Sequence, residues 1–210
     1  MDTADKIVLM FGVVVLIVVL PTAGFNILSN IDYKIEKGAM MVNLSKQSTI
    51  NEIRANISSY FGNKQSFTYK DVFEWENFYL KYKDNLTEIV KVRSTDPTVI
   101  LKNGVGKCQE FSILFASGCI SVGLPVRIVN VVKLYYCDLP HSFNEVKLDG
   151  EWVQADTSIN ATTFYLNNTS IYHSWYWWQD IGKTYKLFSF DASGQCYDVT
   201  YYYASCTKIL

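Results

Sequence analysis

Three residues with the chemistry for acyl transfer stand in the middle of the chain: Cys108, His141 and Asp156. A thiolate attacks an acyl carbon. An imidazole moves the proton between nucleophile and leaving group, and a carboxylate fixes the imidazole and stabilises its charged form. Cys108 follows Gly104 and Gly106 and opens an apolar-periodic run that ends at Gly123 with Pro125 beyond it, which predicts a helix starting at the cysteine. A helix N-terminus offers free N–H groups and partial positive charge. Both stabilise a thiolate, and the same N–H groups can hold the oxyanion formed on attack. The Gly106-Lys107 pair is not a phosphate-binding loop, because no Ser or Thr follows the lysine.

The other two residues belong to a predicted hairpin. His141–Leu148 and Glu151–Asp156 are joined by Asp149-Gly150, a strong two-residue turn signal. With that turn, Leu148 pairs with Glu151, Phe143 lies opposite Asp156, and His141 is the diagonal neighbour of Asp156. Side chains alternate along strands, so His141 and Asp156 share a face. Spacing alone leaves equally open a buried structural cysteine, a satisfied histidine and a solvated aspartate.

The motifs taken together are more specific. Gly106-Lys-Cys108-Gln-Glu-Phe111, Gly123-Leu-Pro-Val-Arg127, His141-Ser-Phe-Asn-Glu-Val and Asp149-Gly-Glu-Trp152-Val-Gln-Ala-Asp156 resemble the transglutaminase-like superfamily. The Cys-x-Glu-aromatic form is similar to its peptide N-glycanase and archaeal transglutaminase-like members. The resemblance spans residues 96–157. It implies an α+β fold with a papain-like core, in which a Cys-bearing helix packs on an antiparallel β-sheet that carries His and Asp. It implies Cys108 as nucleophile, His141 as general acid/base and Asp156 as orienter. It also makes Trp75 a candidate second oxyanion donor. Phe143 stands where the family commonly has Trp, Thr157 where Pro often follows the Asp, and Pro140 where the glycanases tend to have Asp. Arg127 is expected to serve structure rather than substrate, and Glu110 to cap the helix.

Composition narrows the rest. The chain has 210 residues and a net charge of −1. That length suits one domain with an extension, and the charge balance argues against a duplex nucleic-acid partner. Two His and no CxxC pair among five Cys exclude the common zinc motifs, so no metal or organic cofactor is expected. Cys119 would lie on the Cys108 face of a helix about 16 Å away, too far to bond to it. Cys196 and Cys206 are expected to pair as a disulfide in an oxidising compartment. Cys119 is expected to pair with Cys137 or to be core. The aromatics from Tyr69 to Tyr82 are at near-helical spacing and are expected in the core, and the cluster around His173 and Trp175 is expected to pack in the core or against the membrane.

From Ile7 to Ile31 there is no charged residue. A helix over Ile7–Leu28 would span roughly 33 Å, enough for a bilayer; a cleaved signal peptide is the rival reading. Six N-x-[ST] sequons occur, at Asn43, Asn56, Asn85, Asn160, Asn167 and Asn168, which point to an extracytoplasmic glycoprotein. The expected division is an anchor over 1–30, a stalk with a short helix around Thr49–Tyr60 over 31–65, and a catalytic domain over 66–210. The expected function is a membrane-anchored thiol hydrolase or acyltransferase acting on a protein, peptide or glycopeptide amide, with hydrolysis favoured over crosslinking. The alternative is a catalytically silent binding module for glycan or peptide.

Overall fold

A computed structural model describes residues 31–62, 64–83, 93–133, 141–158, 165–166 and 180–206. In chain order the elements are helix α1 (31–44), α2 (Gln47–Phe61), α3 (Tyr69–Tyr79), strand β1 (Lys81–Tyr82), α4 (Pro97–Asn103), β2 (Val105–Gly106), α5 (Cys108–Ser121), β3 (Val126–Lys133), β4 (His141–Leu148), β5 (Glu151–Asp156), β6 (Tyr165–Leu166), β7 (Tyr185–Asp191), β8 (Cys196–Asp198) and α6 (Thr200–Cys206).

Six strands form one antiparallel sheet in the order β6-β5-β4-β3-β7-β8. The central strand β3 explains the architecture. Its Val126, Ile128 and Val132 enter a large core shared with α1–α5, while Val129 and Val131 enter a smaller core with Phe143, Leu187 and Tyr203. Both faces are covered, so apolar residues occur on both faces of the strand, interrupted by Arg127 and Asn130, rather than alternating strictly with polar ones. Tyr203 brings α6 onto the second face, where its hydroxyl donates to Glu145 Oε1 at 2.9 Å.

The helix starts follow local chemistry. Thr68 caps α3 in a reciprocal box with Asp71: Thr68 N–H donates to Asp71 Oδ2 at 2.7 Å, and Asp71 N–H donates to Thr68 Oγ1 at 3.3 Å. Asp96 caps α4 ahead of Pro97, and Gly104 ends that helix at φ 67°. The hairpin forms with the predicted register. Leu148 pairs with Glu151 and the ladder runs to Asn144 opposite Ala155. Asp149 and Gly150 both have positive φ, as a two-residue turn of this hand requires.

Residues 31–65 differ from the expected stalk. They hold two helices that place Met40, Met41, Leu44, Ile53 and Ile57 in the main core. These apolar residues are spread thinly through a polar sequence, so their shared face emerges only once the helices pack. The aromatic stripe divides. Tyr69, Phe73 and Trp75 are buried, whereas Phe78 and Tyr82 are exposed.

Among the described residues no helix is long and apolar enough to cross a membrane; the expected anchor at 1–30 lies outside them. Of the sequons, Asn43 is exposed. Asn56 is half-buried and its amide oxygen accepts from Trp75 Nε1 at 2.7 Å. The remaining four, with Cys137 and the His173 cluster, lie outside the described residues. The expected Cys196–Cys206 disulfide is not formed, since Cys196 carries a free thiol. It sits on β8, hydrogen-bonded into the sheet opposite Phe190 and packed against the main core.

Candidate active site

Cys108 is the first residue of α5, half-buried and with a free thiol. Several contacts hold it there. The preceding strand β2 is paired with β1: Lys81 N–H donates to Gly104 O at 3.0 Å and Lys83 N–H to Gly106 O at 3.1 Å. Glu110 reaches back one turn, and its Oε2 accepts from Lys107 N–H at 3.0 Å. That is the acidic half of a capping box, and a negative charge is favoured in the first turn. No side chain at the N-cap accepts from the helix, so the first-turn N–H groups are left for another acceptor. A Cβ at Gly106 would stand 2.5 Å from Glu110 Cβ, so this glycine is required by the packing of the capping residue.

The helix is tied to the sheet directly. Asn144 Nδ2 donates to Ser112 O at 3.0 Å, and Ser112 Oγ donates to Cys108 O at 2.8 Å. Asn144 and Ser112 were not among the sequence candidates. Asn144 lies one residue along β4 from Phe143, on the opposite strand face, where alternation aims it at the helix.

His141 begins β4 and Asp156 ends β5, and both are buried. His141 Nε2 and Asp156 Oδ2 are 2.5 Å apart. The second oxygen of Asp156 accepts from Ser158 N–H at 3.0 Å and Ser158 Oγ at 2.7 Å. With Nε2 committed to the carboxylate, Nδ1 is the ring nitrogen available to the thiol, and Cys108 Sγ lies within hydrogen-bond reach of the ring. Phe143 backs the imidazole at 6.1 Å between ring centres, inclined by 27°. Burial disfavours the imidazolium, but the Asp156 carboxylate and the Cys108 sulfur outweigh it, and the His141 pKa is pushed up to about 10. The three residues singled out from the sequence are thus brought together.

The neighbouring candidates resolve differently. Trp75 is fully buried and its indole N–H is given to Asn56, so its side chain is not the second oxyanion donor. Arg127 has a structural setting: its guanidinium lies 4.0 Å from the Trp152 ring centre and 4.3 Å from that of Tyr197. Cys119 is buried in the core, and burial holds its thiol well above the ordinary range, with a smaller contribution from neighbouring Glu76. Among the described residues no three His, Cys, Asp or Glu gather in a way that could hold a metal ion.

Comparison with known proteins gives the same core. Residues 55–157 match the Transglutaminase-like superfamily. No curated protein matches the chain. A solved complex of Rad4–Rad23 bound to a 6-4 photoproduct UV lesion is similar in fold, with a TM-score of 0.59 and 10% identity, covering 89% of this chain and 49% of that one. A candidate cysteine protease from Cytophaga hutchinsonii is 20% identical with a TM-score of 0.40, over 53% of this chain and 38% of that one. A candidate protease from Parabacteroides distasonis is 12% identical with a TM-score of 0.46, over 77% and 30%. The chain spans half or less of the length of each. The match over 55–157 contains Cys108, His141 and Asp156, and it places this segment of the chain in the transglutaminase-like superfamily.

Proposed function

We propose that the protein is a thiol hydrolase that cleaves an amide bond with Cys108, His141 and Asp156. The observation that carries this reading is the contact series of half-exposed thiol, buried imidazole and buried carboxylate. The Cys108 thiolate attacks the carbonyl carbon and the N–H groups of the first turn of α5 hold the oxyanion. His141 gives its proton to the leaving nitrogen as the C–N bond breaks, leaving a thioester. A water then loses a proton to His141 and its oxygen bonds to the acyl carbon. The C–S bond breaks, releasing a carboxylic acid and restoring the thiolate–imidazolium pair. Asp156 keeps the imidazole oriented throughout and stabilises its charged form before attack and after hydrolysis.

Hydrolysis is favoured over transfer to an amine because no feature of the sequence marks an amine channel. The papain-like arrangement of this core, and an anchored, extracytoplasmic location given by residues 1–30, complete the proposal. The uncharged run from Ile7 to Ile31 and the exposed sequon at Asn43 support that location. The DNA bound by the Rad4 complex is not carried over, since a net charge of −1 gives no basic excess. The test is amide cleavage of a peptide library followed by mass spectrometry. Wild type is expected to release new carboxyl termini and Cys108→Ala none; equal cleavage by both contradicts the reading.

A further inference from the structure

We propose that Glu76 is a positioning residue for this site, holding the end of β5 through Thr157; the inference rests on the reading of Cys108, His141 and Asp156 given above. Glu76 projects from α3 and is fully buried. It faces the Thr157 side chain, with the Phe115 backbone and the Asp156 carboxylate close by. Neither oxygen of Glu76 closes a hydrogen bond, and neither does the buried Thr157 Oγ1. A buried polar pair of this kind is costly unless its members serve each other.

Thr157 occupies a telling place. It lies between Asp156, which holds His141, and Ser158, whose N–H and hydroxyl hold Asp156. Whatever fixes Thr157 therefore fixes both ends of that clamp. The Thr157 hydroxyl is buried, and Glu76 is the side chain that meets it.

Glu76 suits the task only as a neutral acid. Burial pushes its carboxyl well above the ordinary range and outweighs the opposing effect of Thr157; the Asp156 charge adds a smaller upward push, and the Phe115 backbone a smaller downward one. The titratable groups facing it are Asp156 from β5 and Cys119 from α5. A protonated Glu76 donates its O–H to the Thr157 hydroxyl and brings no charge to compete with Asp156 for His141.

The experiment is NMR titration of the His141 ring in the full chain, with the rate of Cys108 alkylation by iodoacetamide measured in parallel. Glu76→Ala and Thr157→Val are each expected to lower the His141 midpoint by about 1 unit and to slow alkylation about 10-fold. The double variant is expected to go no further than the larger single effect. Glu76→Gln, neutral and of the same shape, is expected to keep the wild-type midpoint. An unchanged midpoint in Thr157→Val, or additive effects in the double variant, overturns the proposal. If Glu76→Ala fails to fold, Thr157→Val and Glu76→Gln still decide it. A wild-type His141 titrating near 6.5 contradicts the site reading itself and this inference with it, whereas a raised wild-type midpoint that Thr157→Val does not move sinks the inference alone.

Discussion

Asp156 holds His141 through a 2.5 Å contact between Oδ2 and Nε2, and both side chains are buried. The pairing sets the charge of the imidazole and aims its other nitrogen at Cys108. It also links the site to stability. The folded value of about 10 lies above the ordinary 6.5, so the charged histidine favours the folded state. This contribution is full below about pH 6.5 and is lost as pH rises through about 10.

Asp156→Asn is expected to drop the His141 midpoint from about 10 toward 6.5 and to reduce turnover by about 10² to 10⁴-fold. NMR of the ring protons and amide-release kinetics check the two outcomes separately. A midpoint that stays near 10 in the variant would show that the carboxylate is not the cause.

The hairpin that presents these residues was legible in full, because Asp149-Gly150 permits one register and alternation does the rest. The start of α5 was equally plain from Gly104, Gly106 and Gly123. What clamps the site was less visible. Ser158 and Thr157 lie past the strand end, where periodicity gives no orientation. Glu76 is one of two glutamates in α3 and looks like its neighbour Glu74, which is exposed and faces Lys70. A signal was present: Glu76 falls four residues after Val72 and three after Phe73, on the buried face of the helix. The partners of Trp75 and Cys196, the Asn56 amide and the main core, were not legible because they are distant in sequence.

Glu76→Gln is expected to raise stability at neutral pH. A carboxyl whose folded pKa is raised favours the folded state when protonated, so its contribution declines as pH climbs above about 4.5. Between about pH 4.5 and 6.5, below the window of His141, the wild-type Tm should fall with pH more steeply than that of the variant. Parallel melting curves across this range would be evidence against a buried neutral acid.

Gly106→Ala places a methyl group 2.5 Å from Glu110 Cβ. It is expected to cost about 1–3 kcal/mol of stability by overpacking and to reduce Cys108 reactivity by displacing the first turn of α5. Urea denaturation with alkylation kinetics measures both. Full retention of both quantities would show that the glycine is not needed there.

Arg127→Met removes the cation held between Trp152 and Tyr197 and the charge that offsets buried Glu145. A loss of about 1–3 kcal/mol is expected in urea denaturation. Activity per folded molecule should remain close to wild type. A selective loss of turnover with unchanged stability would instead place Arg127 at the substrate.

The most direct measurement is the rate of iodoacetamide modification of Cys108 at pH 7, read by peptide mass spectrometry beside the half-buried Cys196 of the same molecule, in wild type and in His141→Ala. Cys108 is expected to react at least ~10-fold faster than Cys196, and His141→Ala to abolish that advantage. If Cys108 reacts no faster than Cys196, or if removing the imidazole leaves its rate unchanged, the nucleophile–base account is contradicted.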